Sequence, residues 1–204
     1  MKNTETAVAT RGRPREFDAA EALAAALRVF WTRGYEGASL TELTEAMGIT
    51  RPSLYACFGN KEALFRKALD LYETEKLAFM NTALEAPTAR GVADRLLRGA
   101  LANQMSACDP KGCLGVISSV ACGAEAEGIK AEVVARRVSS TAALVQRFER
   151  AKQEGDLPAE LEPEALTHYL IALLQGLSVQ AGAGMSCADL GRMVDTALVV
   201  WPGR

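Results

Sequence analysis

At 204 residues the chain can hold one large domain or a small and a medium one, and the spread of its helix signals favours the second division. Hydrophobic residues make up 49%, alanine is abundant and β-branched runs of period two are missing, which excludes a sheet-based fold and leaves the all-α class. A net charge of −2 excludes a protein that coats nucleic acid indiscriminately, although a specific reader with a local basic patch remains open.

Residues 1–14 read as a flexible basic arm. Arg11, Arg13 and Arg15 surround a glycine and a proline that forbid a helix, and such arginines either enter a narrow minor groove or stay solvated. Asp18-Ala19-Ala20-Glu21 is a capping pattern, after which Leu23, Leu27 and Phe30 repeat at helical spacing as far as Gly34, a natural residue for a helix end. A second helix opens at Ser39, where the serine takes an orphan N–H and Glu42 is expected to answer back. Leu40, Leu43 and Met47 fall on one face, Gly48 supplies a turn, and a third, short helix starts at Thr50. Leu54 and Phe58, four apart, must point inward. Pro52, Ser53 and Ala56 then face outward, flanked by Arg51 and Tyr55. Such a helix buries little and displays much, as a recognition helix in a major groove does, although an ordinary surface corner has the same outline. Gly59-Asn60 caps a longer helix with Leu64, Phe65, Ala68, Leu71 and Tyr72 on its apolar side.

The run RGYEGASLTELTEAMGITRPSLYACFGNKEALF, with Gly34-Tyr35 entering at Ser39, Gly48-Ile49-Thr50 in the turn and Asn60 to Leu64 after it, resembles the head of the TetR family of bacterial transcriptional regulators. The resemblance covers residues 15 to 72. It implies a helix-turn-helix DNA-binding domain over 15–62, a helical ligand-binding and dimerisation domain over 63–204, a homodimer on a palindromic operator, and release from DNA by a small molecule. Carried over position by position, it implies phosphate contacts from Ser39, Thr41, Tyr55 and Lys61, and base contacts from Thr50, Arg51, Pro52, Ser53 and Ala56, with Arg51 suited to guanine. Cys57 departs from the pattern, because many members carry histidine or an aromatic residue there, and a sugar or phosphate contact is in doubt.

In the second domain, helices are expected at about 91–107, 113–122, 127–155, 162–182 and 186–200. Turn chemistry at Asp109-Pro110-Lys111-Gly112, at Gly123 to Gly128, at Gly155-Asp156-Leu157-Pro158 and at Gly182-Ala183-Gly184 supports the breaks. Leu166, Leu170, Leu173, Leu174 and Leu177 make a broad apolar stripe, and Val194 and Leu198 a narrower one. The resemblance makes these the dimer surface, and a wholly internal stripe is the alternative. Met105, Cys113, Val116, Ile117, Val120, Phe148 and Tyr169 are candidate lining for a pocket holding a mostly apolar or aromatic effector, or plain core.

Five cysteines, at 57, 108, 113, 122 and 187, suit free thiols in a reducing cytoplasm. Cys113 follows Lys111 and precedes an expected helix, so it and Cys108 offer a redox or electrophile sensor as an alternative, against cysteines as small hydrophobes. No leader peptide, membrane span, cofactor fingerprint or zinc spacing is read, and His168 is expected to be a satisfied core imidazole. A thiol enzyme or helical interaction module is the rival of a different class.

Overall fold

The computed structural model describes residues 17–120 and 126–203. Arg11, Arg13, Arg15 and Cys122 lie outside them, as does the side chain of Val120. Among the described residues the chain forms ten helices and no strand, the all-α class that composition points to.

The first three helices, α1 (Ala19–Gly37), α2 (Leu40–Met47) and α3 (Arg51–Phe58), pack with α4 (Lys61–Lys76) around one core. Asp18 opens α1 by accepting the N–H groups of Ala20 at 2.8 Å and Glu21 at 3.3 Å. Gly34 breaks the helical course, as its place after the apolar run suggests. With φ 71° and ψ 180° it separates the main part of α1 from a short helical turn that ends at Gly37, a backbone excursion that glycine makes without strain. Ser39 caps α2 by accepting from Glu42 N–H at 3.1 Å, but the Glu42 carboxylate does not return to the cap. It accepts instead from Arg33 Nε at 3.1 Å, a cross-helix partner that local spacing does not reveal. Gly48, at φ 65°, ends α2, and Asn60 opens α4 by accepting Ala63 N–H at 2.7 Å. Phe30 meets Phe65 edge-on at 5.1 Å and Trp31 meets Tyr72 at 4.7 Å, which locks α1 across α4.

The rear of the molecule holds α5 (Phe79–Ala83), α6 (Ala89–Met105), α7 (Leu114–Val120), α8 (Glu127–Gln153), α9 (Pro163–Gly182) and α10 (Cys187–Val199). The five expected helices fall within two residues of these bounds, whereas α5, one short turn with few signals, was not expected. Leu96, Leu97, Phe148, Leu170, Leu177 and Leu190 form the centre of the rear core. No helix among the described residues is long and apolar enough to cross a membrane.

The stripe on α9 and α10 faces this core. Leu166, Leu170, Leu177, Val194 and Leu198 are buried, and Leu173 and Leu174 pack against the same cluster. Most of the stripe is thus spent within its own chain, and Leu173 and Leu174 stay partly exposed. The reason is that α9 touches α6, α7, α8 and α10, so it needs a broad stripe for its own chain. The outward side of α9 and α10 carries Tyr169, Ala172, Val179, Val199 and Val200. His168 is also exposed, so it is not a core imidazole.

Candidate nucleic-acid interface and internal cavity

Two residues anchor α3: Leu54 at 0% and Phe58 at 5% exposure. Their spacing leaves Arg51, Pro52, Tyr55 and Ala56 exposed and Ser53 partly so. Thr50 caps the helix, with Oγ1 accepting Ser53 N–H at 3.3 Å and lying 3.0 Å from the Ser53 hydroxyl. Arg51 Nη2 donates to Thr41 Oγ1 at 2.7 Å, which joins the two short helices into one polar surface beside the cap at Ser39. Lys61, at the first position of α4, lies 4.7 Å over the Tyr35 ring. Partial burial there pulls its pKa below the ordinary value, and Glu36 opposes the shift. Cys57 is exposed on α3. The surface thus combines helix N-termini, hydroxyls, a phenol and two cations, the donor set that phosphates and base edges accept.

A cavity of about 350 Å³ lies behind this head, bounded by α4, α5, α6, α7, α8 and α9. Cys113 and Val116 line it. Ile117 lines a separate hollow beside Trp31 and packs into the head core. The other expected lining residues stand elsewhere. Met105 ends α6 at 60% exposure, Phe148 is fully buried 6.0 Å from the Trp201 ring, and Tyr169 stacks on Trp201 at 6.1 Å on the outer side. Helical spacing places these residues on helices but cannot tell a face that meets a void from one that meets a neighbour. The wall is more polar than the expected apolar lining: Asn103, Gln104, Arg137, Ser140, Thr141 and Gln175 stand beside Leu69, Phe79, Met80, Leu144 and Ile171. Burial raises the pKa of the Tyr72 phenol, and the neighbouring Cys113 adds to the shift.

Comparison with known proteins supplies the family. Residues 22–68 match the family described as "Bacterial regulatory proteins, tetR family". The HTH-type transcriptional repressor ComR of Escherichia coli (strain K12) is 32% identical over 204 aligned residues, spanning 98% of this chain and 96% of that protein. The chain belongs to the TetR family of bacterial transcriptional regulators. A cysteine mutant of the TetR-family regulator CifR, solved with 26-bp double-strand operator DNA, has a similar structure. Its TM-score is 0.85 and its identity 42%, covering 93% of this chain and 100% of that one. The HTH-type transcriptional repressor DhaR of Mycobacterium sp. (strain GP1) is 25% identical over 149 residues, 73% of this chain and 74% of that protein.

Three sets of contacts connect this TetR-family head to the cavity wall, and none was visible in sequence. Gln104, 3% exposed, clamps Gly112 at both ends of its amide. Gly112 N–H donates to Gln104 Oε1 at 2.8 Å, and Gln104 Nε2 donates to Gly112 O at 3.0 Å. The same carbonyl accepts from Trp31 Nε1 at 3.3 Å, so one peptide unit is held by the cavity and by α1. On α8, Glu132 accepts from Arg66 Nε at 2.7 Å, and Arg136 donates to Asp70 at 2.6 Å and to Glu73 at 2.8 Å, which straps α4 to α8. Lys76 pairs with Asp109 at 2.7 Å at the far end of α4. Lys111 Nζ donates to the carbonyls of Gln104 at 2.5 Å and Ser106 at 2.7 Å. Its ammonium is therefore engaged with backbone rather than with Cys113. Sequence distance explains the omission: the Arg66–Glu132 and Trp31–Gly112 partners are 66 and 81 positions apart.

Proposed function

We propose that this TetR-family regulator is a cytoplasmic repressor, not an enzyme, that holds a palindromic operator as a homodimer and leaves it when a small molecule enters the cavity. The carrying observation is the exposed row of α3, Arg51 to Ala56, anchored from below by Leu54 and Phe58, on a chain 42% identical to a regulator solved on operator DNA. In this reading residues 1–14 are an arm, 15–62 the reading head and 63–204 the ligand-binding and dimerising part. Ser39, Thr41, Tyr55 and Lys61 meet phosphates, Thr50, Arg51, Pro52, Ser53 and Ala56 meet bases, and Arg11, Arg13 and Arg15 follow the minor groove. The partner subunit covers the outward side of α9 and α10 in place of the leucine stripe. Such pairing holds two heads about 34–36 Å apart, one turn of DNA.

The effector acts through two arrangements of the rear helices. A nearly complete switch, from 1:99 to 99:1, requires about 5.5 kcal/mol of differential binding. The shared peptide at Gly112 is the route that supports this coupling, because a molecule competing for the Gln104 amide loosens a group that also holds Trp31. Selection of genomic fragments with purified protein tests the whole reading. One palindromic sequence should be enriched, and failure to bind any duplex at low salt would overturn it, since phosphate contacts alone suffice there. A thiol-sensing version rests on Cys113 at the cavity wall, and induction by electrophiles that survives Cys113→Ser would remove it.

A further inference from the structure

We infer that the effector is an organic carboxylate with an apolar body, and that Arg137 holds its carboxylate. The inference rests on reading the cavity as the effector site. Two arginines stand side by side on the cavity face of α8, and their surroundings differ. Arg136 is neutralised by Asp70, Glu73 and Glu132 at 2.6, 2.8 and 2.9 Å. Glu73, which also lines the cavity, is thereby already paired. Half-buried Arg137 has no carboxylate within ion-pairing distance among the described residues. Its Nη2 donates to Gly115 O at 3.1 Å and to Ser119 Oγ at 3.0 Å, both neutral groups on α7. These contacts orient the guanidinium, and no described residue compensates its charge.

A guanidinium in a partly apolar enclosure favours an anion, and its fork matches the two oxygens of a carboxylate. Gln175 brings an amide to the same space from α9. The remaining wall includes Leu69, Phe79, Met80, Leu144 and Ile171, which suits a hydrocarbon chain or ring. A neutral apolar effector would fill that part but desolvate the Arg137 charge without supplying an opposite one, which is unfavourable. An amphipathic monocarboxylate satisfies both halves.

Titration calorimetry on the full chain tests this with octanoate and 4-phenylbutanoate against their primary amides, which keep shape and remove charge. The carboxylates are expected to bind at least about tenfold more tightly than the amides, the increment of a charge-assisted hydrogen bond. Arg137→Gln should abolish that difference. Arg137→Lys should retain part of it, because the charge stays and the fork is lost. Amides binding as tightly as acids, undiminished acid binding by Arg137→Gln, or no binding of either acid would each overturn the inference. Anisotropy with a duplex from the genomic selection separates the two readings. Protein that binds acids through Arg137 and no duplex sinks the regulator and spares the carboxylate, whereas protein that binds the duplex and neither acid does the reverse.

Discussion

Arg51 donates one hydrogen bond to Thr41 at 2.7 Å, and a bidentate contact to guanine would exchange that bond for two. Arg51→Ala is therefore expected to weaken operator binding by about 1–3 kcal/mol in fluorescence anisotropy, while binding to unrelated duplexes at low salt changes far less. Equal losses on both duplexes would make Arg51 a phosphate contact. Gly99 offers a test of packing beside the cavity. A Cβ built there clashes with the Phe79 ring, so Gly99→Ala must drive that ring off its seat on α6. A loss of about 1–3 kcal/mol in urea denaturation is expected, even though alanine is the better helix former. Arg51 was legible in sequence because Leu54 and Phe58 fix which side of α3 faces out. Arg137 was not, since its meaning depends on having no carboxylate beside it among the described residues while Arg136 has three, and spacing cannot report that.

The helices themselves were legible wherever caps and apolar periods agreed, as at Asp18, Ser39, Thr50 and Asn60. How they are fastened was not. Gln104 joins α6 to the Gly112 turn, and that turn holds α1 through Trp31. Gln104→Leu keeps side-chain bulk and leaves the partly buried Gly112 groups short of partners, so a stability loss of about 1–3 kcal/mol is expected in thermal or urea unfolding. If this turn carries the signal, the variant that remains folded will bind operator with little response to effector. A normal response would place the route elsewhere. The end of α4 provides a pH test. The hydrogen bond from Lys76 holds the Asp109 carboxyl below its ordinary 3.8. Its contribution is thus present above that value and lost as pH falls through the lowered native pKa. Asp109→Asn should flatten the acid-side fall of stability there, and an unchanged curve would show the pair to be inert.

The molecule as a whole has two apolar cores. The head core runs on through Leu64, Phe65, Leu69 and Tyr72 of α4 to Leu114, Ile129 and Val133 at the starts of α7 and α8. Head and cavity therefore share walls, so the rear can influence the head by packing alone. Dimerisation is testable on the outward side of α9, where a Cβ added at Gly176 meets nothing within 4 Å of its own chain. Ala172→Arg on that side should give a monomer by sedimentation velocity and weaken operator binding, with helix content unchanged. A stable dimer would move the interface elsewhere. Composition, capping residues and the period of apolar positions were enough to determine the all-α class, the bounds of most helices and the exposed face of α3, because each is set by interactions within a few residues. Tertiary structure alone decided that the leucines of α9 face inward, that the cavity wall is partly polar, and that Gly112 joins it to the head. Those outcomes depend on neighbours distant in sequence. The outward face of Arg51 and Tyr55 needed only four residues of spacing, whereas the surroundings of Arg137, hydrogen-bonded to Gly115 and Ser119 of α7, needed the packing of α7 against α8.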